Sequence, residues 1–349
     1  MQRVFITGGT GLVGSHVAQR LRRHGVEVVV LARAGSDTRF LEGIGASIVR
    51  GDILDPEARL AAAIAGADAL VHAAAIVYQR GTAADAYARV NADGCERVLR
   101  AAAAAGCRRV LHVSSIAVYS GAPAGVRLDE DDWQRYSIPH HAAYPLSKQE
   151  AEWRAWRLHD AAAIRLTVVR PGVIFGERDR LVTAPLLRLA GLPMVPLPRA
   201  GKAVPPVVYA GNIARGIVRA LRTDATIGRA YTLASDWELT LRQLLRRLGA
   251  CLGRPPRIVG VPALGVRALA ALIDAAGGFV RGPRPQARRA ARTVLFDHAY
   301  DQSRARADLN WSRAALEPPE LALPRVAAEA HERRRASRQS RLLGRESVR

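Results

Sequence analysis

Three residues carry the clearest chemistry in the chain: Ser115, Tyr144 and Lys148, the last two within Tyr144-Pro145-Leu146-Ser147-Lys148. A tyrosine and a lysine four apart lie on one face of a helix. An ammonium beside a phenol favours the phenolate and so lowers the phenol's pKa. A phenol poised in this way passes a proton to or from a substrate hydroxyl or carbonyl. A serine hydroxyl opposite, that of Ser115, can hold the substrate oxygen. The same spacing also arises by chance on solvated helix surfaces, so its context matters. Pro145 disfavours helical geometry at Tyr144. The tyrosine is therefore expected at the helix boundary, with Pro145 in the first turn, where its missing N–H costs little.

That context is the start of the chain. The apolar run Val4-Phe5-Ile6 ends in Thr7-Gly8-Gly9-Thr10-Gly11-Leu12-Val13-Gly14, and a helical pattern follows at once. Bare backbone at Gly8 and Gly11 lets a pyrophosphate approach, and Gly14 lets the helix pack on the strand. Free N–H groups and the helix dipole favour the anion. A structural turn uses glycine too. The strand before and the helix after are what point to a dinucleotide, whose nicotinamide would take or give a hydride.

Further apolar runs supply the elements that must position these groups. Leu12 to His24 reads as a helix, Val26 to Leu31 and Ala46 to Arg50 as strands, and Ala69 to Ala75 as a fourth. Tyr87 to Ala105 reads as a helix with Asn91 near its start. Val110 to Val113 is a strand that delivers Ser114-Ser115, and Leu166 to Val169 is a sixth. Strands alternating with helices at this cadence mean an α/β fold, a Rossmann-like doubly wound parallel sheet. At the end of the second strand stands Arg33, with Ser36 near it. An acidic residue there would bond the ribose 2′-OH, whereas Arg suits a 2′-phosphate, so NADP is favoured over NAD. The alternative is a merely solvated Arg33. Asp52, past the third strand, either accepts from an adenine amino group or caps the helix near Pro56. Small Ala73, Ala74 and Ala75 let a cofactor lie against backbone. His72 is read as a packing histidine without chemistry.

Residues 1–175 form the dinucleotide domain, with 207–235 returning to it. Residues 176–206 and 236–325 form a smaller, mostly helical substrate lobe, and 326–349 a basic, disordered tail. Val261 to Val280 is apolar but carries Arg267 and Asp274, too much charge for a spanning helix. It is read as an amphipathic helix packed on the lobe or, alternatively, resting on a membrane surface. The Arg cluster that follows would assist, giving peripheral membrane contact through 261–292. Net charge is +21, yet only Lys148 and Lys202 are lysines. Scattered Arg without interleaved aromatics offers no platform for bases, so no nucleic-acid partner is expected. Cys95, Cys107 and Cys251 form no CxxC pair, and neither a metal site nor a disulfide framework is suggested. Met1-Gln2-Arg3 leads straight into a strand, leaving no room for a signal peptide. A cytoplasmic location follows as the expectation, with membrane association as the variant.

The chain resembles extended short-chain dehydrogenases/reductases of the NAD-dependent epimerase/dehydratase and 3β-hydroxysteroid dehydrogenase group. The likeness rests on Thr7 to Gly14, Gly51-Asp52, His72 to Ala75, Val90-Asn91-Ala92-Asp93-Gly94, Val113 to Tyr119, Tyr144 to Lys148 and Arg170-Pro171-Gly172. It extends to Tyr231 to Ser235 and Tyr300 to Arg306. The resemblance implies that Tyr144 is the acid/base, that Lys148 binds the nicotinamide ribose and tunes Tyr144, and that Ser115 orients the substrate oxygen. Ser115 is chosen over Ser114 because it stands three residues before Val118-Tyr119, as in the family. By the same likeness Asp52 meets the adenine and Ala73 to Ala75 line the cofactor. Leu12, Val13, Ile53 and Asn91 join the cofactor residues, and Pro171, Gly172 and Val173 lie near the nicotinamide. The family's usual Asp after the second strand is replaced here by Ala32-Arg33. A homodimer is a further expectation.

Two enzyme readings remain open. One is hydride transfer at a secondary alcohol or ketone of an apolar, steroid-like or dihydroflavonol-like small molecule. The alternative is a sugar-nucleotide epimerase or dehydratase with tightly bound NAD(P), its diphosphate held by lobe arginines such as Arg180, Arg188, Arg199 and Arg215. A non-enzymatic dinucleotide sensor would have no need of Tyr144 and Lys148.

Overall fold

The computed structural model describes residues 1–349 apart from 78–80, 124, 263, 266–267, 269–270, 273–298 and 347–349. The chain begins β1 (Arg3–Thr7), α1 (Leu12–Arg23), β2 (Glu27–Ala32), α2 (Arg39–Gly43), β3 (Ser47–Arg50), α3 (Glu57–Ile64) and β4 (Ala69–His72). Then come α4 (Ala84–Tyr87), a π-helical turn (Ala88–Asp93), α5 (Gly94–Ala104) and β5 (Arg109–Val113). It continues β6 (Arg127–Leu128), α6 (Ala143–Asp160), β7 (Arg165–Pro171), β8 (Val173–Phe175), α7 (Thr183–Ala190), β9 (Met194–Pro198), β10 (Val207–Tyr209), α8 (Ala210–Arg222) and β11 (Arg229–Leu233). Last are α9 (Leu241–Cys251), β12 (Arg257–Val261), β13 (Ala299–Tyr300), α10 (Ser303–Leu309) and α11 (Pro319–Glu346).

Seven strands form one parallel sheet in the order β11-β7-β5-β4-β1-β2-β3. Both faces of these strands are covered, which is why runs such as Val28 to Leu31 are apolar throughout rather than alternating. On one face α1 and α8 bury Val17, Leu21, Ile213 and Ile217. On the other, α3, α5 and α6 bury Leu60, Val98, Leu99, Ala151 and Ala155. Strand order reverses between β1 and β4. In such sheets the crevice beyond the carboxyl ends at the reversal is where ligands bind. Thr7, His72 and Val113 end the strands that border it.

The C-terminal lobe is helical, as expected, with short strand pairs beside its helices. It holds α7, α9 and the start of α11, with Leu187, Leu245, Leu248, Leu323 and Val326 in one core. It also holds the parallel pairs β8–β10 and β9–β12. Strand β9 was hidden by Pro196 and Pro198; a two-stranded pair tolerates proline because one edge needs no donor. Val207 to Tyr209 thus pairs with β8 rather than the main sheet, whereas β11 does return to it.

Of residues 326–349, expected as a disordered tail, 326–346 belong to α11, which runs to Glu346, and 347–349 lie outside the described residues. Ala322, Leu323, Val326 and Ala327 repeat at helical spacing and bury against the lobe. Dense Arg farther on concealed that periodicity. The expected amphipathic helix of 261–280 and the Arg cluster of 281–292 fall largely outside the described residues. No described helix is long and apolar enough to cross a membrane.

Candidate active site

The loop after β1 is shaped by its glycines. Gly8 has φ +73°, and a Cβ there would come 2.5 Å from the Ala74 amide nitrogen. A Cβ at Gly14 would lie 2.3 Å from the Gly8 carbonyl oxygen. These two glycines let the loop, α1 and the end of β4 close on one another. Gly11 differs: its N–H donates to the Gly8 carbonyl at 3.0 Å, and beyond that oxygen its Cβ would meet open space. Gly11 is the N-cap of α1, with no side-chain cap and no acidic residue in the first turn. An uncapped helix N-terminus beside open space fits the pyrophosphate of a dinucleotide. Leu12 and Val13 open this helix, and the Ala73-Ala74 backbone closes on Gly8.

The residues expected at the adenosine end follow β2 and β3. Arg33 is exposed just after β2. Asp52 accepts from the Leu54 amide at 2.9 Å, and its own N–H donates to Asp55 at 3.0 Å. Helix α3 is capped by Pro56 without a side-chain bond, so the capping alternative for Asp52 falls away. Ile53 is buried, and a Cβ on Gly94 would come 2.8 Å from its Cδ1. Asn91 lies in the π-helical turn, buried. It accepts from the Ile76 amide at 2.7 Å and donates to the Ile76 carbonyl at 3.0 Å and the Ser147 hydroxyl at 2.9 Å. Its side chain therefore joins the segment after β4 to α6.

Helix α6 starts at Ala143, so Tyr144 and Pro145 stand in the first turn, where amides have no intrahelical partner. The Tyr144 ring meets Tyr87 edge-on, with centroids 6.1 Å apart. One turn on, the buried Lys148 donates to the Val113 carbonyl at 2.8 Å. Burial pushes its pKa down to about 8, against the opposing pull of Cys95 and Glu152. Val113 ends β5, and the two serines follow. Ser114 is buried and donates to Glu152 at 2.6 Å. Ser115 is half-buried in extended backbone and caps the 3₁₀ turn Ile116–Tyr119, accepting from the Ala117 amide at 3.1 Å. Pro171, Gly172 and Val173 carry β7 into β8. A Cβ on Gly172 would lie 2.5 Å from the Pro206 carbonyl and 2.6 Å from that of Ala234.

Two groups were missed from sequence. Glu152, one turn beyond Lys148, forms a fully buried ion pair with Arg170. Arg170 also donates to the Tyr119 hydroxyl and the Glu130 carbonyl and lies over the Trp133 ring at 5.4 Å. The helix that carries Tyr144 and Lys148 is thereby fastened to the loop between β5 and α6. The signal was present as a second helical step, Tyr144, Lys148, Glu152, without a visible partner. The second group is His72, His112 and Cys95, whose donor atoms lie within 4.8 Å of one another. The two imidazoles stack with 16° between their planes. Stacked rings do not aim their in-plane lone pairs at one point, so these donors do not converge on an ion. Burial and the nearby Lys148 cation hold His72 down to about 3 and His112 well below the usual histidine range. Both are neutral, and they form a polar but uncharged floor.

Residues 4–234 match the family model described as NAD dependent epimerase/dehydratase family. The chain belongs to that family. Among its relatives is a 4-hydroxy-2-methyl-3-oxo-4-farnesyl-3,4-dihydroquinoline-1-oxide ketoreductase from Stigmatella aurantiaca, 28% identical over 83% of this chain and 84% of the relative. Another is a 2-alkyl-3-oxoalkanoate reductase from Stenotrophomonas maltophilia, 27% identical over 88% of this chain and 94% of the relative. The Bordetella bronchiseptica enzyme WbmH, solved in complex with NAD+, shares the fold at TM-score 0.69 and 20% identity, covering 95% of this chain and 99% of that one. This epimerase/dehydratase family member is an NAD(P)-dependent enzyme of the extended short-chain dehydrogenase/reductase type, and the two relatives named are reductases.

Proposed function

We propose that the enzyme reduces a ketone to a secondary alcohol on a small apolar molecule, using NADPH in preference to NADH. The observation that carries the reading is the buried Lys148 cation, fixed by the Val113 carbonyl one helical turn from Tyr144. A solvated, accidental pair would not be held in this way. Tyr144 gives its phenolic proton to the carbonyl oxygen as that oxygen becomes an alkoxide. The Lys148 ammonium stabilises the negative charge left on the phenolate. Ser115 donates a hydrogen bond to the same substrate oxygen, a task left to it because Ser114 is committed to Glu152. Gly11, Leu12, Val13 and Gly14 receive the pyrophosphate, and Pro171 to Val173 border the nicotinamide. Bound reduced nicotinamide supplies the hydride.

Both named relatives are reductases of an oxo compound that carries a farnesyl or alkyl group next to the oxo carbon. The substrate class proposed is therefore a ketone whose neighbouring carbon bears an apolar chain. Arg33, exposed and without an acidic residue beside it at the end of β2, supports NADPH. Incubation with a panel of 2-alkyl-3-oxoacids, steroids and UDP-sugars, following the absorbance of the reduced cofactor, tests the reading. Consumption of NADPH with an oxoacid or another apolar ketone is expected. Turnover of a sugar nucleotide alone, with no net consumption, would contradict it.

A further inference from the structure

The loop that carries Arg33 is held from beneath by a second arginine. Ala32, the last residue of β2, is paired with Arg50, the last residue of β3. From there the Arg50 guanidinium donates to the Arg33 carbonyl at 3.1 Å and to the Thr38 hydroxyl at 3.0 Å, with a longer contact to the Ser36 carbonyl at 3.5 Å. The Ser36 amide in turn donates to the Arg33 carbonyl at 3.0 Å, closing a turn. One planar, five-donor fork thus grips three points of a six-residue loop.

These contacts have an electrostatic consequence. Carbonyl oxygens are the negative ends of peptide dipoles, and an anion beside the loop would be repelled by any that faced it. Arg50 draws the Arg33 and Ser36 carbonyls onto itself and adds its own positive charge beneath them. The neighbouring Arg39 does not contribute in the same way, because Asp37 takes it in a two-point ion pair at 2.9 and 2.7 Å. Arg33 and Arg50 remain as cations of this corner, with Arg59 donating to the Arg50 carbonyl at 3.3 Å at the end of β3.

We propose that Arg50 is a positioning residue for the cofactor's 2′-phosphate: it fixes the Arg33–Thr38 loop so that Arg33 meets the phosphate from a preorganised backbone. The inference rests on the NADPH reading above. Preorganisation lowers the ordering cost of binding only where the ordered loop is used. Arg50 should therefore matter for the 2′-phosphate and not for the rest of the adenosine.

The experiment is calorimetric titration of the full-length protein with 2′,5′-ADP and with 5′-AMP, which differ by that phosphate alone. The wild type is expected to bind 2′,5′-ADP the more tightly. In Arg50→Met that preference should shrink about tenfold, with 5′-AMP affinity and melting temperature kept. Thr38→Val, which removes one of the three grips, should lose a smaller part of it. Arg50→Lys, a point charge without the fork, should restore the preference only in part. No preference in the wild type would overturn the NADPH reading and this inference with it. A preference intact in Arg50→Met would overturn the role of Arg50 and leave the NADPH reading standing. Equal weakening of both ligands with a lowered melting temperature would show a purely structural residue and also overturn it.

Discussion

Lys148 donates to the carbonyl of Val113 across 2.8 Å, and both groups are buried. The bond ties the helix that carries Tyr144 to the strand that delivers Ser115. It also spends a donor of the ammonium on a fixed acceptor, so the charge has a defined place rather than a mobile one.

That place gives a pH dependence. Burial pushes Lys148 down to about 8, so the ammonium that supports Tyr144 is lost as pH rises through that value. The reductive kcat/KM should fall with a limb near pH 8, which reports the free enzyme. Stability should move the other way. An unfolded lysine keeps its proton to about 10.4, so between about 8 and 10.4 the unfolded state binds more protons and stability rises with pH. Denaturant melts from pH 7.5 to 10 should show that rise, and Lys148→Met should abolish it.

Glu152 should be the more costly residue to remove. Its loss leaves the Arg170 guanidinium buried and unpaired, a situation that costs about 3–5 kcal/mol. Urea unfolding of Glu152→Ala is expected to show a loss of that size. The Tyr119 hydroxyl and the Glu130 carbonyl would still accept from Arg170, but neither carries a charge that replaces the carboxylate. A loss below about 1 kcal/mol would mean that the pair does not hold the helix to the loop between β5 and α6.

Gly14→Ala should destabilise the protein and damage cofactor binding together. The new methyl would sit 2.3 Å from the Gly8 carbonyl oxygen and 2.7 Å from the Gly9 Cα, both backbone. Forced overpacking of this kind costs about 1–3 kcal/mol. The melting temperature and the dissociation constant for NADPH are the measurements. A variant as stable and as tight-binding as wild type would contradict the close packing of α1 on the loop.

Asp236 offers a test inside the lobe. It accepts from the Tyr209 amide at 3.0 Å and Asn212 at 2.8 Å, while its other oxygen has no partner. Burial pushes its pKa up to about 7, despite the hydrogen bond from Asn212. The folded state then binds more protons than the unfolded one between about pH 4 and 7, so stability falls across that window and stays low above it. Asp236→Asn cannot ionise. Relative to wild type it should gain on the order of 3 kcal/mol between pH 4 and pH 8. A difference that does not change with pH would rule the titration out.

The parts legible in sequence are those where a constraint repeats at short spacing. Gly8, Gly11 and Gly14 mark one loop, and Tyr144 with Lys148 one helix face. The apolar strands gave the sheet because both its faces are buried. What could not be read was long-range. Glu152 and Arg170, Asn91 and Ser147, or Arg50 and the Arg33 loop become partners only once strands and helices stack. Asn91 meets Ser147 across 56 residues. Composition misled at the end of the chain, where Arg-rich sequence obscured the apolar stripe that seats α11. It misled in the lobe as well, where prolines obscured β9.

The central claim is that the Tyr144 hydroxyl passes the proton, and Tyr144→Phe tests it most directly. The substitution removes one oxygen and leaves the ring against Tyr87. Steady-state turnover of the oxo substrate identified in the panel should fall by at least about a hundredfold, the lower end of what general acid–base catalysis contributes. The dissociation constant for NADPH should stay within about twofold, because uniform binding is untouched. Turnover retained within a few fold of wild type would contradict the account.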